Sequence, residues 1–159
     1  MNESARILVI DDEESIRTTI SLTLQHAGYV ADTAENGRQA IEKSEANFYN
    51  LALIDIRLPD MEGTELLTAL RDTTPRMVKI ILTGYPGLQN AVAAINKGVD
   101  TYLVKPVNPS ELLHVVKEHL NKQREEIVYS QEKVAEFVET RFKELETQEH
   151  DTSQMAKEK

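Results

Sequence analysis

Five polar side chains stand where short apolar runs of this sequence stop. Asp11 and Asp12 follow Ile7-Leu8-Val9-Ile10, Asp55 follows Leu51-Ala52-Leu53-Ile54, Thr83 follows Ile80-Ile81-Leu82, and Lys105 follows Leu103-Val104. Three carboxylates brought together repel one another unless a cation neutralises them, and hard oxygen ligands suit Mg²⁺. An Asp carboxylate is a nucleophile towards phosphoryl groups. Such a transfer needs little beyond positioning and charge neutralisation. The lysine can pair with a carboxylate or a phosphoryl oxygen, and the threonine offers a hydroxyl donor. Each residue also has a plainer reading. Asp11-Asp12 caps a helix, Asp55 is a solvated acid at a turn, Thr83-Gly84 is a turn, and Lys105 is a surface lysine. The coincidence of all four run ends outweighs these separate readings.

The elements that must position these residues can be read from periodicity. Ala5 to Ile10 is a first strand, and from Ser15 the pattern turns helical until Gly28 closes it. Tyr29 to Ala34 is a second, weaker strand; Asn36-Gly37 is a turn pair, with a short helix through Ala40, Ile41 and Ala46. Leu51-Ala52-Leu53-Ile54 has no polar break, the mark of a strand buried on both faces. Burying Asp55 within a sheet would be costly, so it belongs at the strand's C-terminal edge. Pro59 and Gly63 turn the chain into a helix over Thr64 to Arg71. Val78 to Leu82 is strand four, followed by a helix through Ala91, Val92, Ala94 and Ile95 that Gly98 ends. Thr101 to Val104 is strand five, and Asn108-Pro109-Ser110-Glu111 opens the last helix. Five strands alternating with five helical patterns predict a doubly wound α/β sheet, all strand ends along one edge.

Composition bounds the function. The 159 residues suit one domain plus an appendage, and 40% hydrophobic content can supply a core. The absence of cysteine excludes disulfides, thiolate catalysis and Cys-based zinc sites. A formal net charge of −9 argues against nucleic-acid binding by broad electrostatics. No apolar run approaches a membrane span and no export signal opens the chain, so a soluble cytoplasmic protein is expected. The histidines offer no ligand-like spacing.

Ile7 to Asp12, Leu53 to Gly63 (LIDIRLPDMEG), Ile81-Leu82-Thr83-Gly84 and Leu103-Val104-Lys105-Pro106 together resemble the receiver domain of two-component response regulators, over about Arg6 to Leu120. The resemblance implies a flavodoxin-like (βα)5 sheet of strand order 2-1-3-4-5. It implies that Asp55 accepts a phosphoryl group from the phosphohistidine of a sensor histidine kinase. Asp12, Asp55 and the backbone carbonyl of Arg57 would hold Mg²⁺, with Asp11 acting through a bound water. Thr83 and Lys105 would contact the phosphoryl oxygens, and the Lys105-Pro106 bond would be cis, as is typical of the family. Tyr102 stands where the family has an aromatic switch residue that follows Thr83. Arg57 and Tyr85 stand where the family tunes phosphoryl lifetime. On this reading the protein is a phosphoacceptor that assists its own phosphorylation and dephosphorylation, not an enzyme. A phosphohydrolase of the haloacid-dehalogenase type would need a second Asp two residues after the nucleophile, where this chain has Arg57.

A receiver should end near residue 121. Residues 122–148 contain no Pro or Gly and read as an extended helix, and residues 149–159 as a frayed or disordered tail. Val134, Phe137, Val138, Phe142 and Leu145 recur at helical spacing, although Gln123, Arg124 and Gln131 spoil a strict coiled-coil heptad. Such a stripe needs something to pack on, and a second copy of the chain is the simplest supplier. From Asn121 onward 7 basic and 10 acidic residues give net −3, unlike a DNA-binding helix. The sequence is also compatible with the receiver and linker of a longer transcription factor or output enzyme.

Overall fold

The computed structural model describes residues 4–84, 87 and 98–157, and the chain divides after Gln123 into two compact units. In the first, β1 (Arg6–Ile10), β2 (Val30–Ala34), β3 (Leu51–Asp55), β4 (Val78–Thr83) and β5 (Thr101–Val104) form one sheet. Every pairing is parallel and the order is β2-β1-β3-β4-β5, as the receiver resemblance implies. The helices are α1 (Glu14–His26), α2 (Gly37–Ala46), α3 (Gly63–Ala69) and α4 (Pro109–Lys157). Tyr85 and the helix expected through residues 91–95 lie outside the described residues.

Alternation along the strands divides the core between the two faces of the sheet. Leu8, Ile10, Ala52, Ile54 and Ile81 pack with Ala40 of α2 and Leu66 and Leu67 of α3. Ile7, Val9, Leu51, Leu53, Ile80 and Leu82 pack with Ile20 and Leu24 of α1 and with Leu112, Val116 and Leu120 of α4. All five residues of β3 are buried, because strands flank it on both edges and helices cover both faces. Each fully buried Leu or Ile there contributes about 2–3 kcal/mol relative to exposure. At the far end of the sheet the Tyr49 hydroxyl donates to Asp32, 2.7 Å away, which also pairs with Arg6 at 2.8 Å. Burial would raise the Asp32 carboxyl, but these two partners outweigh it and hold it below its ordinary value.

Helix ends follow local chemistry. Gly28 takes a φ of 94°, the left-handed conformation that ends α1 and turns the chain into β2. Asn36 caps α2 by accepting from the Gln39 N–H at 2.8 Å, so Asn36-Gly37 is a helix start and not a free turn. Asn108 accepts from the N–H groups of Ser110 and Glu111, and Pro109 opens α4 as the sequence predicts. Among the residues before the division, Gln123 is buried in the first unit. Its amide donates to the carbonyls of Asn50 and Arg76, each at 2.9 Å, and accepts from the Asn50 side chain. It is an anchor for the helix and not the break in a seam that its polarity suggested.

The second unit is helical throughout its described residues. The helix runs to Lys157, past Gln148, where the composition pointed to a frayed end. No Pro or Gly stands in the way, so nothing in the backbone chemistry forces a stop. No helix is long and apolar enough to cross a membrane among the described residues.

Candidate functional site

The C-terminal ends of β1, β3, β4 and β5 converge on one edge of the sheet. There the carboxylates of Asp11, Asp12 and Asp55 each offer an oxygen within 4.8 Å of the other two. Asp11 is fully buried and Asp55 nearly so, whereas Asp12 is exposed. Thr83, the last residue of β4, is fully buried, and its carbonyl accepts from the Lys105 N–H at 2.8 Å. That bond sets the height of Lys105 at the end of β5. The Lys105–Pro106 peptide bond is cis.

The lysine ammonium knits the acids together. Lys105 Nζ donates to Asp11 Oδ2 at 2.7 Å and lies 3.3 Å from Asp55 Oδ2. The other Asp11 oxygen accepts from the Glu13 N–H at 3.0 Å, and the Asp11 carbonyl accepts from Arg17 at 2.8 Å. Asp55 Oδ1 accepts from the Arg57 N–H at 3.2 Å. Of the two buried acids, Asp55 therefore has the lighter set of partners. Burial, with the charge of Asp11 beside it, pushes its carboxyl up to about 6, against the smaller pull of Lys105. Burial would lower the Lys105 ammonium, but its bond to Asp11 and the charges of both acids raise it instead. The lysine stays charged and the site retains an excess of negative charge.

The loop after β3 holds this geometry. A β-carbon on Gly63 would fall 2.5 Å from the Asp55 carbonyl oxygen, so only glycine lets α3 begin so close to the acid. The Gly63 N–H donates to the Ile56 carbonyl at 2.8 Å. Asp60 fastens the other side of the loop, accepting from the N–H groups of Gly37 and Arg38, both at 2.9 Å. Those bonds, Gly37 first, hold its carboxyl below the ordinary value. Sequence reading missed this role of Asp60 and the contact of Arg17 on Asp11. Asp60 carries no local signal, because its partners lie 22 and 23 residues away.

Thus Asp11, Asp12, Asp55, Thr83 and Lys105 share one edge, as their positions at run ends predict. Arg57 is exposed and forms an isolated bridge with Glu62. Tyr102 lies on β5 opposite Ile81 and is 40% exposed, open to solvent rather than turned into the core. His26 and His114 are exposed and apart from the acids.

Known proteins resemble this chain in sequence and in fold. The response regulator receiver domain family matches residues 7–117. The response regulator ArlR of Staphylococcus saprophyticus is 35% identical over 120 residues, covering 74% of this chain and 53% of ArlR. The transcriptional regulatory protein CusR of Escherichia coli is 32% identical, covering 84% of this chain and 59% of CusR. The chain thus spans about half the length of these curated relatives. Among solved structures, a CheY-like receiver domain protein of Methanospirillum hungatei is 46% identical with a TM-score of 0.71, over 78% of this chain and 99% of that one. The response regulator TrrA of Thermotoga maritima, in complex with Mg²⁺ and BeF, is 36% identical with a TM-score of 0.65, over 72% of this chain and 98% of TrrA. With the matched segment running from β1 into α4 and taking in every strand end just described, the chain belongs to the response regulator receiver domain family.

Proposed function

We propose that the chain accepts a phosphoryl group on Asp55 from the phosphohistidine of a sensor histidine kinase, in a Mg²⁺-dependent reaction, and switches conformation in response. One observation carries this reading. Asp55 is the acid at the end of the central buried strand, with two carboxylates within 4.8 Å and a lysine ammonium 3.3 Å away. In the step, an Asp55 oxygen attacks phosphorus while the P–N bond breaks and its electron pair returns to the imidazole. Lys105 then pairs with a phosphoryl oxygen and Thr83 donates its hydroxyl to another.

The donor set suits a hard divalent cation, being all oxygen and carrying negative charge beyond what Lys105 offsets. Asp12, Asp55 and the carbonyl of Arg57 would hold Mg²⁺, with Asp11 acting through water. Bound there, the ion supplies charge neutralisation for the acids and the incoming phosphoryl group. The complex of TrrA with Mg²⁺ and BeF supports the same chemistry here. Tyr102 is the switch residue, moving inward as Thr83 closes on the phosphoryl group. Arg57 and Tyr85 tune the lifetime of the phosphorylated state. The chain assists its own phosphorylation and dephosphorylation and turns over no separate substrate.

In this reading residues 1–121 are the receiver and residues 122–148 an output helix that self-associates. The chain works in the cytoplasm, beside its kinase, and has no direct contact with nucleic acid. A second reading, the receiver and linker of a longer transcription factor, is favoured by the names and lengths of CusR and similar relatives.

Incubation with a small phosphodonor and Mg²⁺ should add one phosphoryl group by intact mass, and Asp55→Asn should add none. Stoichiometric labelling of the Asn variant would overturn the assignment. Asp12→Ala should weaken Mg²⁺ binding by a large factor with the fold intact; an unchanged titration would reduce Asp12 to a helix cap.

A further inference from the structure

The helical unit after Gln123 carries an apolar seam with a single polar position. Val128, Gln131, Ala135, Val138, Phe142 and Leu145 follow one another at alternating spacings of three and four, so they line one strip of the helix. Every residue from 128 to 149 is exposed, Phe142 at 62% and Val138 at 58%. Phe137, which the sequence stripe included, lies about 100° round the helix from Val138 and off the strip.

The two flanks of the strip differ in charge. The positions following Gln131, Val138 and Leu145 are all acidic: Glu132, Glu139 and Glu146. The positions preceding Val128, Ala135 and Phe142 are Ile127, Val134 and Arg141. If a second copy lay antiparallel, like flanks would face each other, glutamates against glutamates. In a parallel, in-register pair each flank faces the opposite flank of the other copy, five residues on. Arg141 then meets Glu146 of the second copy, twice by symmetry. Ile127 and Val134 lie against the aliphatic stems of Glu132 and Glu139.

We propose that this segment joins a second copy of the same chain as a parallel, in-register, two-stranded coiled coil. The charges on its flanks select that orientation against the antiparallel one. The proposal rests on the self-association stated above and adds the direction of the two helices.

The lack of cysteine makes single-cysteine variants of the full chain clean probes. Sedimentation equilibrium of the unaltered chain at tens of micromolar should give twice the chain mass. A monomer would overturn self-association itself, and a trimer or tetramer would overturn the two-stranded form. Under mild oxidation Val128→Cys alone and Leu145→Cys alone should each form a covalent dimer, since in-register seam positions face their own copies. Cross-linking only when the two variants are mixed would show an antiparallel pair, and no cross-linking in any combination would exclude this register. Arg141→Glu should weaken dimerisation roughly five-fold, and adding Glu146→Arg should restore it. Failure of the double variant to recover would overturn the pairing across the seam. Phosphoryl acceptance on Asp55 should be unaltered in all of these variants, so a failure of the coil and a failure of the acceptor assignment are read separately.

Discussion

The strand-end edge and the helical unit after Gln123 are both rich in charge, and they hold it by different means. At the edge, Lys105 reaches across 94 positions of sequence to Asp11, a buried acid. Among the described residues of the helical unit, the ion pairs Lys133–Glu136, Arg141–Glu144 and Lys143–Glu139 join neighbours three or four residues apart and are exposed. The first kind is expensive to form and expensive to break, because burial removes water that would otherwise solvate an orphaned charge. The second is screened and contributes a few tenths of a kcal/mol for each pair. At the edge the fold has separated Asp11, Asp55 and most of Lys105 from water, although Asp12 stays exposed. Charges on the helix serve solubility, helix support and choice of partner.

This contrast can be tested most severely at Lys105. Lys105→Met should leave Asp11 and Asp55 as buried neighbours with no cation and destabilise the protein by about 3 kcal/mol, read by urea denaturation without Mg²⁺. A loss as small as that of a surface lysine would mean the acids are solvated after all. Two glutamines sharpen the same comparison. Gln123→Ala removes three partly buried hydrogen bonds and should cost about 2 kcal/mol. Gln131→Ala on the exposed seam should leave urea stability unchanged or improve association, and equal losses at both positions would erase the distinction.

Asp55 gives a smaller effect of the opposite sign. Its folded carboxyl is raised to about 6 from 3.8. Unfolding therefore relieves an ionised group above pH 6, and the charged acid destabilises the fold there. Without Mg²⁺, Asp55→Asn should be the more stable protein at pH 7 by about 1–2 kcal/mol. The advantage should shrink as pH falls through 6 and vanish near 4, where the acid is protonated in both states. An Asn variant no more stable at pH 7 would contradict that environment for Asp55. The smallest change belongs to the helix: Lys143→Ala, which removes the pair with Glu139, should shift stability by at most about 0.5 kcal/mol.

Much of this could be read from the chain because its signals are local. Four of the five strands announce themselves by apolar runs, and the residue at the end of each is legible as the one facing the edge. In a parallel sheet all those ends lie together whatever the strand order, so Asp11, Asp12, Asp55, Thr83 and Lys105 could be gathered before any coordinate was known. Strand order came from the resemblance, because periodicity says which faces are buried but not which strands are neighbours. Gln123 shows where local reading fails. A polar residue on an apolar stripe looks like an interruption until the carbonyls of Asn50 and Arg76 are placed beside it.

By itself, then, the sequence determined the alternation of strands and helices, the five chemical groups of the edge, and a helix with no residue able to stop it. These depend on backbone preference and side-chain period, which act over a few residues. The tertiary structure alone decided how those groups share their charge. It buried Asp11 and left Asp12 exposed, gave the shorter bond of Lys105 to Asp11 and left Asp55 with the longer contact and the raised carboxyl. It also set Asp60 against the start of α2, and Gly63 where no β-carbon fits. Such choices turn on distances between segments remote in sequence and on how much water each charge keeps, and neither is written in any short stretch of the chain.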